Sequence, residues 1–424
     1  MGYTGLIRMG NIIFFIMLGI SFIFLSYKLI YFFMAFKSSR KLPEAKKKHK
    51  FALLIPARNE SKVIGNLLES IQNQTYDKEL LHTYVIVESE DDPTCEIVKK
   101  YPRTEVVVRQ RLDLKGKGYA LDEAFQKILP EKKGFDAYFI IDADNFLTPN
   151  FVEEMNKSYD AGYKVATGYR NSKNWNGGWI ASCSALVFSM INTFQNKTRT
   201  RFNFNILVSG TGFYVSHDII EKLGGWKFYT LTEDAEFSLY SCLNNVKSMY
   251  NEYAEFYDEQ PTDFKTSWKQ RLRWTKGHSQ AHKIYGRKIL KSAFTNKENR
   301  LSKLEVGMSI LPLVSIVATL AVYSVYNFTL TIIGLAQSNP LWWIPLVLGL
   351  STILLFYLSL SFYTIFQLIA ERKHSDITLK NSLICVLTAP FYICLFGPIF
   401  FQSLFKKEVA WTPIKHEVTI SLKD

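Results

Sequence analysis

Long uncharged runs flank one long charged stretch of the chain. Residues 306–370 contain no Lys, Arg, Asp, Glu or His, and residues 381–405 form a second uncharged run. A third apolar run near the amino terminus, NIIFFIMLGISFIFLSYKLIYFFMAF, contains Lys28 close enough to one end to reach the membrane surface. A bilayer-spanning helix needs about 20 apolar residues. Residues 306–370 therefore have room for two spans around the turn-like AQSNP, and the chain has four candidate spans, of which three or four cross the membrane.

The segment after the first span, KSSRKLPEAKKKHK, has seven Lys or Arg residues and one Glu. The positive-inside rule predicts that this end faces the cytoplasm. The segment is either a solvated linker or a contact for anionic lipid heads, and the net charge of +13 fits the second interpretation. The predicted organisation is a first span with its linker at 1–50, a cytosolic domain at 51–300, and apolar helices with a tail at 301–424. We expect a multi-pass protein of the plasma membrane with no nucleic acid partner.

The side of the carboxyl-terminal tail is ambiguous. Four full spans would place the tail outside, whereas its basic FKKEVAWTPIKH favours the cytoplasm. Pro390, Gly397 and Pro398 lie within the last apolar run, which is therefore able to break or re-enter the membrane surface. A cytosolic tail is the favoured prediction.

Apolar runs and helical patterns alternate after residue 50. Strands are predicted at Phe51–Ile55, Tyr84–Val87, Glu105–Arg109 and Tyr138–Ile141. Ile64, Leu67, Leu68 and Ile71 recur at helical spacing after the first strand, with Asn59 as the helix cap, and ALDEAFQKIL predicts a second helix. This alternation is typical of a parallel α/β sheet, in which ligands bind beyond the carboxyl ends of the strands. Pro56, Glu88 and Asp142 occupy such ends.

Two aspartates one residue apart, Asp142 and Asp144, follow the fourth strand. In an extended chain their side chains point to the same side. They are either solvated turn acids or ligands of a hard divalent cation such as Mg²⁺ or Mn²⁺, which is commonly held by one or two carboxylates and substrate phosphates. Their position after a buried strand favours the cation site.

Four motifs in order resemble the membrane-embedded, processive branch of the family 2 glycosyltransferases, which includes cellulose, hyaluronan and chitin synthases. These are PARNE, DAD at 142–144, TED at 232–234 and QRLRW at 270–274. The resemblance implies a GT-A, Rossmann-like domain that binds a nucleotide sugar. It also implies a cytosolic Trp-x-x-Thr element near Trp411 and, less closely matched, Thr412.

The resemblance implies a role for each motif residue. Nucleotide contacts are Pro56, Ala57, Glu60, Glu88, Lys117, Asp142, Gln270 and Arg273, and the metal ligands are Asp142 and Asp144. Asp234 is the general base within the catalytic group Thr232, Glu233 and Asp234, while Trp274, Gly210 and Thr211 contact the acceptor. Glu88 departs from the family, which commonly has Asp there.

Several of these residues also have simpler interpretations. Lys117 could be an exposed loop lysine, Glu233 and Asp234 could be first-turn acids favoured by a helix dipole, and the glycines around 210 could serve only a tight turn. The apolar segment 177–194 is either an interfacial helix or a core helix. Arg271 has no assigned role, and Trp268 could face a membrane interface or a sugar.

The resemblance implies an inverting enzyme that polymerises a β-linked polysaccharide from a UDP-sugar, with UDP-glucose or UDP-N-acetylglucosamine as donor and Mg²⁺ or Mn²⁺ as cofactor. Its partners would be the growing glycan and membrane lipids, and a homodimer could supply further helices. The alternative is a non-processive transferase that moves one sugar to a lipid acceptor, which QRLRW disfavours. A catalytically inactive glycan-binding protein is a third class, and Asp142, Asp144 and Asp234 argue against it.

Overall fold

The structure is a computed structural model, and it describes residues 2–37, 39, 41–309, 311–406 and 409. Trp411 and Thr412 lie outside the described residues. Five long apolar helices and an α/β domain make up the described chain.

An eight-stranded sheet forms the centre of the α/β domain. Its strands are β1 (Phe51–Pro56), β2 (Leu81–Val87), β3 (Thr104–Val108), β4 (Ala137–Ile140), β5 (Phe146–Leu147), β6 (Val165–Ser172), β7 (Phe213–Ser216) and β8 (Ser248–Asp258). Their order is β3-β2-β1-β4-β7-β6-β8-β5. The first four strands are parallel, and β7 runs antiparallel to both of its neighbours. The four predicted strands are confirmed within one to three residues of their predicted starts and ends.

The helices of the α/β domain pack on the two faces of this sheet or on one another. They are α2 (Ile64–Gln72), α3 (Thr94–Val98), α4 (Lys117–Ile128), α5 (Phe151–Asp160), α6 (Trp179–Met190), α7 (Lys197–Arg201), α8 (His217–Leu223), α9 (Glu233–Leu243), α10 (Phe264–Thr295) and α11 (Arg300–Met308). Leu53 and Ile55 of β1 pack on the α2 side, and Leu54 packs on the α4 side. The period of two in a strand therefore gives the sheet two apolar cores.

Asn59 does not cap α2, so that prediction is wrong. The helix begins at Ile64, and Asn59 lies in a turn with a φ of 58°. Its N–H donates to Asp92 Oδ2 at 2.9 Å. The left-handed conformation of Asn59 and its hydrogen bond to Asp92 keep the PARNE loop separate from the start of α2. Residue spacing in the sequence could not reveal either feature.

The segment 177–194 forms a buried helix that continues in an unusual conformation. Helix α6 is mostly buried, and residues Ile191–Asn196 then form a π-helix before α7. Asn196 of the π-helix exchanges hydrogen bonds with the backbone of Leu207, at 2.8 and 2.9 Å. Such π-helical turns are found frequently at functional sites.

The apolar helices are α1 (Tyr3–Ala35), α12 (Leu311–Ala336), α13 (Trp343–Ala370), α14 (Leu379–Cys394) and α15 (Phe396–Phe405). Within the described residues, four segments are long and apolar enough to cross a membrane: Tyr3–Met34, Ser315–Ala336, Trp343–Ala370 and Leu379–Phe405. The predicted turn at AQSNP separates α12 from α13. The last segment is interrupted at Leu395, as its proline and glycine content suggested.

A buried ion-pair cluster attaches α1 to the α/β domain. Glu305 of α11 accepts from Lys28 Nζ at 2.9 Å and from Arg199 Nη2 at 2.8 Å. The prediction that Lys28 can reach the membrane surface stays a prediction, and the structure adds the partner of its ammonium group, the buried carboxylate of Glu305. The cluster therefore links α1, α7 and α11 by charge.

A second buried cluster attaches α13 to the sheet. Glu371, directly after α13, accepts hydrogen bonds from the hydroxyls of Tyr169 on β6 and Thr193 in the π-helix. His374 stacks on Tyr169 with ring centroids 4.1 Å apart. The end of α13 is thereby held against the α/β domain.

Candidate active site

One cavity of about 1910 Å³ opens at the carboxyl ends of β1, β2 and β4. Every predicted site residue except Thr211 lines it: Pro56, Ala57, Glu60, Glu88, Lys117, Asp142, Asp144, Gly210, Thr232, Glu233, Asp234, Gln270, Arg273 and Trp274. The cavity continues past these residues to α12, α13 and α15. Asp144 and Asp234 therefore share one space, which is a requirement for joint action in one reaction.

The PARNE loop and Glu88 form one end of the cavity. Glu88 Oε2 lies 2.9 Å from Arg58 Nε, and its Oε1 lies 3.7 Å from Arg109 Nη1. Arg109 is only 4% exposed at its side chain and is fixed by Glu123 at 3.0 Å. These two arginines were missed in the sequence, although Arg58 lies inside the PARNE motif. They orient the carboxylate of Glu88, and with Glu88 and Glu123 they form a charge-balanced network at this end of the cavity.

Lys117 lies in the middle of the cavity and is not an exposed loop lysine. It opens α4, and its Nζ donates to Asp142 Oδ1 and to the carbonyl of Gly210, the latter at 2.7 Å. Burial lowers the pKa of Lys117, but Asp142, Glu233 and Asp234 outweigh this effect and raise the pKa. The lysine is therefore charged at neutral pH and joins the DAD and TED motifs electrostatically.

Asp142 and Asp144 are placed by the turn after β4. The Asp142 N–H donates to Thr211 Oγ1 at 2.8 Å, and Lys173 Nζ donates to the main-chain oxygen of Asp144 at 2.6 Å. No group of three or more His, Cys, Asp or Glu side chains that could hold a metal occurs in the described part of the chain. Asp142 and Asp144 nevertheless both line the cavity. Two carboxylates together with phosphate oxygens of a bound substrate would form a donor set that suits a hard divalent cation.

Thr211 supports this turn and does not face the cavity. Its side chain is fully buried, and its hydroxyl donates to Asn145 Oδ1 while accepting from the Asp142 N–H. The structure thus contradicts the predicted acceptor contact of Thr211. The sequence placed it in a glycine-rich turn and gave no sign that its hydroxyl would point back to the DAD motif.

The TED motif begins α9. Gly210 has a φ of 83°, which favours glycine, and it lies next to Asp234, since a Cβ at position 210 would be in ordinary contact with Asp234 Oδ2 at 3.6 Å. Glu236 accepts from the backbone N–H groups of Tyr229 and Thr230 at 3.0 and 2.9 Å. Glu236 therefore fixes the loop that precedes the helix. Glu233 and Asp234 do lie in the first turn, and both also line the cavity.

Glu233 is 7% exposed and lines the same cavity. Burial, assisted by the charge of Asp234, raises its pKa to about 7. A carboxyl group that titrates near neutral pH beside a carboxylate is common in active sites.

The QRLRW motif lies in α10, whose first turn is capped by Asp263 accepting from the Thr266 N–H at 2.9 Å. Gln270, Arg273 and Trp274 line the cavity. The spacing of three and four residues places them on one face of the helix. Gln270 Oε1 is buried without a hydrogen-bond partner among the described residues, so it is available to a ligand.

Gly277 brings α10 against the TED motif. A Cβ at position 277 would lie 2.7 Å from the backbone nitrogen of Thr232, so only glycine allows this approach. Arg273 Nη1 donates to the Leu231 carbonyl at 2.9 Å, and Trp274 meets Phe188 edge-on with centroids 5.5 Å apart. The QRLRW and TED motifs therefore form one wall.

Arg271 and Trp268 point away from the cavity. Arg271 is 1% exposed, and its Nη1 donates to the carbonyl of Tyr392 in α14 at 2.9 Å. Trp268 Nε1 donates to Gln402 Oε1 of α15 at 2.8 Å. Both residues attach α10 to the last apolar segment, which gives Arg271 a structural role.

A family model described as glycosyltransferase like family 2 matches residues 49–277. A probable glycosyltransferase of Bacillus subtilis is 28% identical over 64% of this chain and 67% of its own length. The β-monoglucosyldiacylglycerol synthase of Trichormus variabilis is 26% identical over 62% of this chain and 57% of its own. The hyaluronan synthase of Streptococcus pyogenes is 28% identical over 57% of this chain and 60% of its own. The matches thus span less than two thirds of the latter two relatives.

A mannosyltransferase of Pyrobaculum calidifontis, solved with GDP-mannose and Mn²⁺, shares the fold. It aligns with a TM-score of 0.57 at 13% identity, covering 94% of this chain and 100% of that one. Since the family model covers more than half of the chain, the protein belongs to the family 2 glycosyltransferases and is an enzyme with a GT-A catalytic domain.

Proposed function

We propose that the protein is an inverting transferase that extends a β-linked polysaccharide from a UDP-sugar and passes the product along its own cavity. The observation that carries this proposal is the continuity of that cavity. It joins Glu88 at the nucleotide end, Asp234 in the centre and Trp274, and then reaches Val317 and Phe356 of the apolar helices. Donor, acceptor and exit path therefore have a place in one connected space.

The two aspartates at 142 and 144 would hold the divalent cation, which supplies charge neutralisation to the departing diphosphate. Asp234 takes the proton of the acceptor hydroxyl as the new bond forms, because a neutral hydroxyl is a poor nucleophile. Lys117 and Arg273 contribute fixed positive charge near the leaving group. Trp274 offers an aromatic face to the apolar side of the acceptor sugar. A single displacement inverts the anomeric carbon.

The proposed donors are UDP-glucose and UDP-N-acetylglucosamine. The Pro56–Glu60 loop and Glu88 would receive the uridine, and the arginine-supported Glu88 is able to accept a hydrogen bond from base or ribose. Release of nucleoside diphosphate from a panel of UDP- and GDP-sugars, with Mg²⁺ or Mn²⁺, tests this assignment.

The Asp234→Asn variant tests the mechanism. It should reduce transfer by at least about 100-fold, because general-base catalysis typically contributes that much or more. Its affinity for the UDP-sugar should stay within twofold of wild type. Asp218→Asn, which alters an exposed carboxylate on α8, is the control. Unchanged turnover in Asp234→Asn would remove this residue from the mechanism.

Transfer of one sugar to a lipid acceptor is the second candidate. The far part of the cavity favours it, since Val317, Ala321, Phe356, Phe400 and Phe401 give that part an apolar lining. One relative is also a β-monoglucosyldiacylglycerol synthase. Labelled product that partitions entirely into organic solvent would support this candidate, whereas water-soluble product of increasing length supports polymerisation.

We also propose that the enzyme lies in the plasma membrane with its α/β domain and its tail in the cytosol. The Leu379–Phe405 segment contacts the α/β domain near both of its ends. Asn381 Nδ2 donates to Asn176 Oδ1 at 2.8 Å, and Lys276 Nζ donates to the Ser403 carbonyl at 2.9 Å. A segment held in this way rests on the domain and on the membrane surface rather than crossing. Protease access to a carboxyl-terminal tag, in sealed inverted vesicles and in intact cells, tests the placement.

A further inference from the structure

The next two turns of α10 after Trp274 keep a polar face toward the cavity. Thr275, His278, Ser279 and His282 all line it and are half-buried. Their spacing of three and four residues aligns them on one helix face over roughly 10 Å, given the rise per residue of an α-helix. We call these four residues the α10 polar face. It extends the cavity wall beyond the QRLRW motif.

Within the described part of the chain, the side-chain hydrogen bonds of the α10 polar face leave acceptor groups free. Each of the four side chains bonds to the carbonyl four residues earlier, at 2.8–3.1 Å. A carbonyl oxygen only accepts, so His278 and His282 must carry their hydrogen on Nδ1. Burial also lowers the pKa of His282, which favours the neutral ring. His282 therefore presents its Nε2 as a hydrogen-bond acceptor, the helix bond of His278 leaves its Nε2 available for a further hydrogen bond, and the two hydroxyl oxygens keep acceptor capacity, all on side chains that line the cavity.

The same cavity is lined by apolar groups as well. Val187 and Phe188 of α6 and Ile191 of the π-helix line it, Gln195 adds one amide, and Phe188 meets Trp274, the residue before the α10 polar face, edge-on. A passage with acceptors on one wall and aromatic or aliphatic groups elsewhere fits a pyranose chain, which presents hydroxyl donors at its edges and C–H groups on its faces. A hydrocarbon chain would leave these acceptors dehydrated and unpaired, which is unfavourable.

We propose that the α10 polar face binds the sugars that follow the terminal sugar of the acceptor, so that the enzyme grips an oligosaccharide and not one sugar alone. This inference rests on the proposed transferase function and specifies its acceptor. His278 and His282 would act as positioning residues that receive hydroxyl hydrogen bonds from the glycan.

The experiment uses the full chain in detergent with the UDP-sugar from which wild type releases most UDP. The probes are that sugar's β-linked tetrasaccharide and the free monosaccharide as primers. Wild type should show a KM for the tetrasaccharide at least about tenfold below that for the monosaccharide. The His278→Ala/His282→Ala double variant should raise the tetrasaccharide KM about tenfold, given the net contribution of two hydrogen bonds. Its KM for the UDP-sugar should change less than twofold.

Two further variants separate binding from loss of structure. His278→Gln/His282→Gln keeps an acceptor oxygen at each position and should hold the tetrasaccharide KM within about threefold of wild type. Lys283→Ala, on an exposed part of α10 outside the cavity lining, is the matched control. Equal KM values for the two primers, or an unchanged tetrasaccharide KM in the alanine variant with normal UDP release, would overturn the inference alone. Absence of UDP release from every UDP-sugar by wild type would instead refute the donor assignment.

Discussion

Replacing Glu233 by Gln should stabilise the protein at alkaline pH much more than at acid pH. The carboxyl group has a pKa of about 7 in the folded protein and 4.5 as its ordinary value, because burial and Asp234 disfavour its ionised form. The folded state therefore binds the proton more tightly than the unfolded chain, and wild-type stability falls as pH rises from about 4.5 through 7. Above pH 7 the folded protein bears the full cost of keeping Glu233 ionised.

The magnitude follows from the two pKa values. Their difference corresponds to about 3 kcal/mol at pH 8.5, where the group is ionised in both states. At pH 5 the cost is only about 1 kcal/mol, because the folded protein remains protonated and the unfolded chain is partly protonated. Gln has nearly the same shape and no charge, so it removes this cost. The gain in Tm should be larger at pH 8.5 than at pH 5 by about 5 °C, on the usual scale for a domain of this size.

Thermal unfolding of the detergent-solubilised full chain, followed by intrinsic fluorescence at pH 5 and pH 8.5 without nucleotide or added metal, measures this difference. Glu69→Gln, at an exposed position of α2, provides the control and should change Tm equally at both pH values. A Glu233→Gln variant that gains no more at pH 8.5 than at pH 5 would refute the reasoning. That result would mean that the group is ionised without cost in the folded cavity.

Three further predictions concern the metal site and the buried polar groups. Chelation by EDTA should abolish UDP release, and added Mn²⁺ or Mg²⁺ should restore it; activity that persists in EDTA would exclude Asp142 and Asp144 as cation ligands. Thr211→Val should lower stability by about 1–3 kcal/mol, because it leaves the buried Asp142 N–H unpaired, and thermal unfolding against Thr211→Ser measures this loss. Glu305→Gln should cost about 3–5 kcal/mol by leaving Lys28 and Arg199 without their carboxylate, and an unchanged Tm would show that the cluster contributes no stability.

Continuous apolar runs made the parallel strands predictable from the sequence. The sheet buries Leu53, Leu54 and Ile55 on alternate faces. A short continuous apolar run is typical of a parallel strand that is buried on both faces, so the run predicts this structure. The start of β2 was placed three residues late, because His82 and Thr83 interrupt the apolar pattern while the backbone still pairs with β1. The neighbouring strand decides where backbone pairing begins, and the polarity of the side chains does not show that position.

The motif residues could be placed in one cavity from the sequence, but their supports could not. Lys28 and Glu305 are far apart in the chain and pair only after α1 and α11 meet. Arg271 and Arg273 look equivalent in the sequence, yet the helical rotation between them sends one to α14 and the other into the cavity. The polar face of α10 was likewise hidden, since its significance depends on what lies opposite.

Helix α10 lines the cavity on one side and binds the last apolar segment on the other. Lys276 and Trp268 bind α15, while α15 turns Leu404 and Phe405 outward, toward the acyl chains if the proposed placement holds. If α15 rests on the membrane surface as proposed, a displacement of α15 would be transmitted through these two contacts to the helix that carries Trp274. We therefore expect the composition of the surrounding lipid to change the turnover rate.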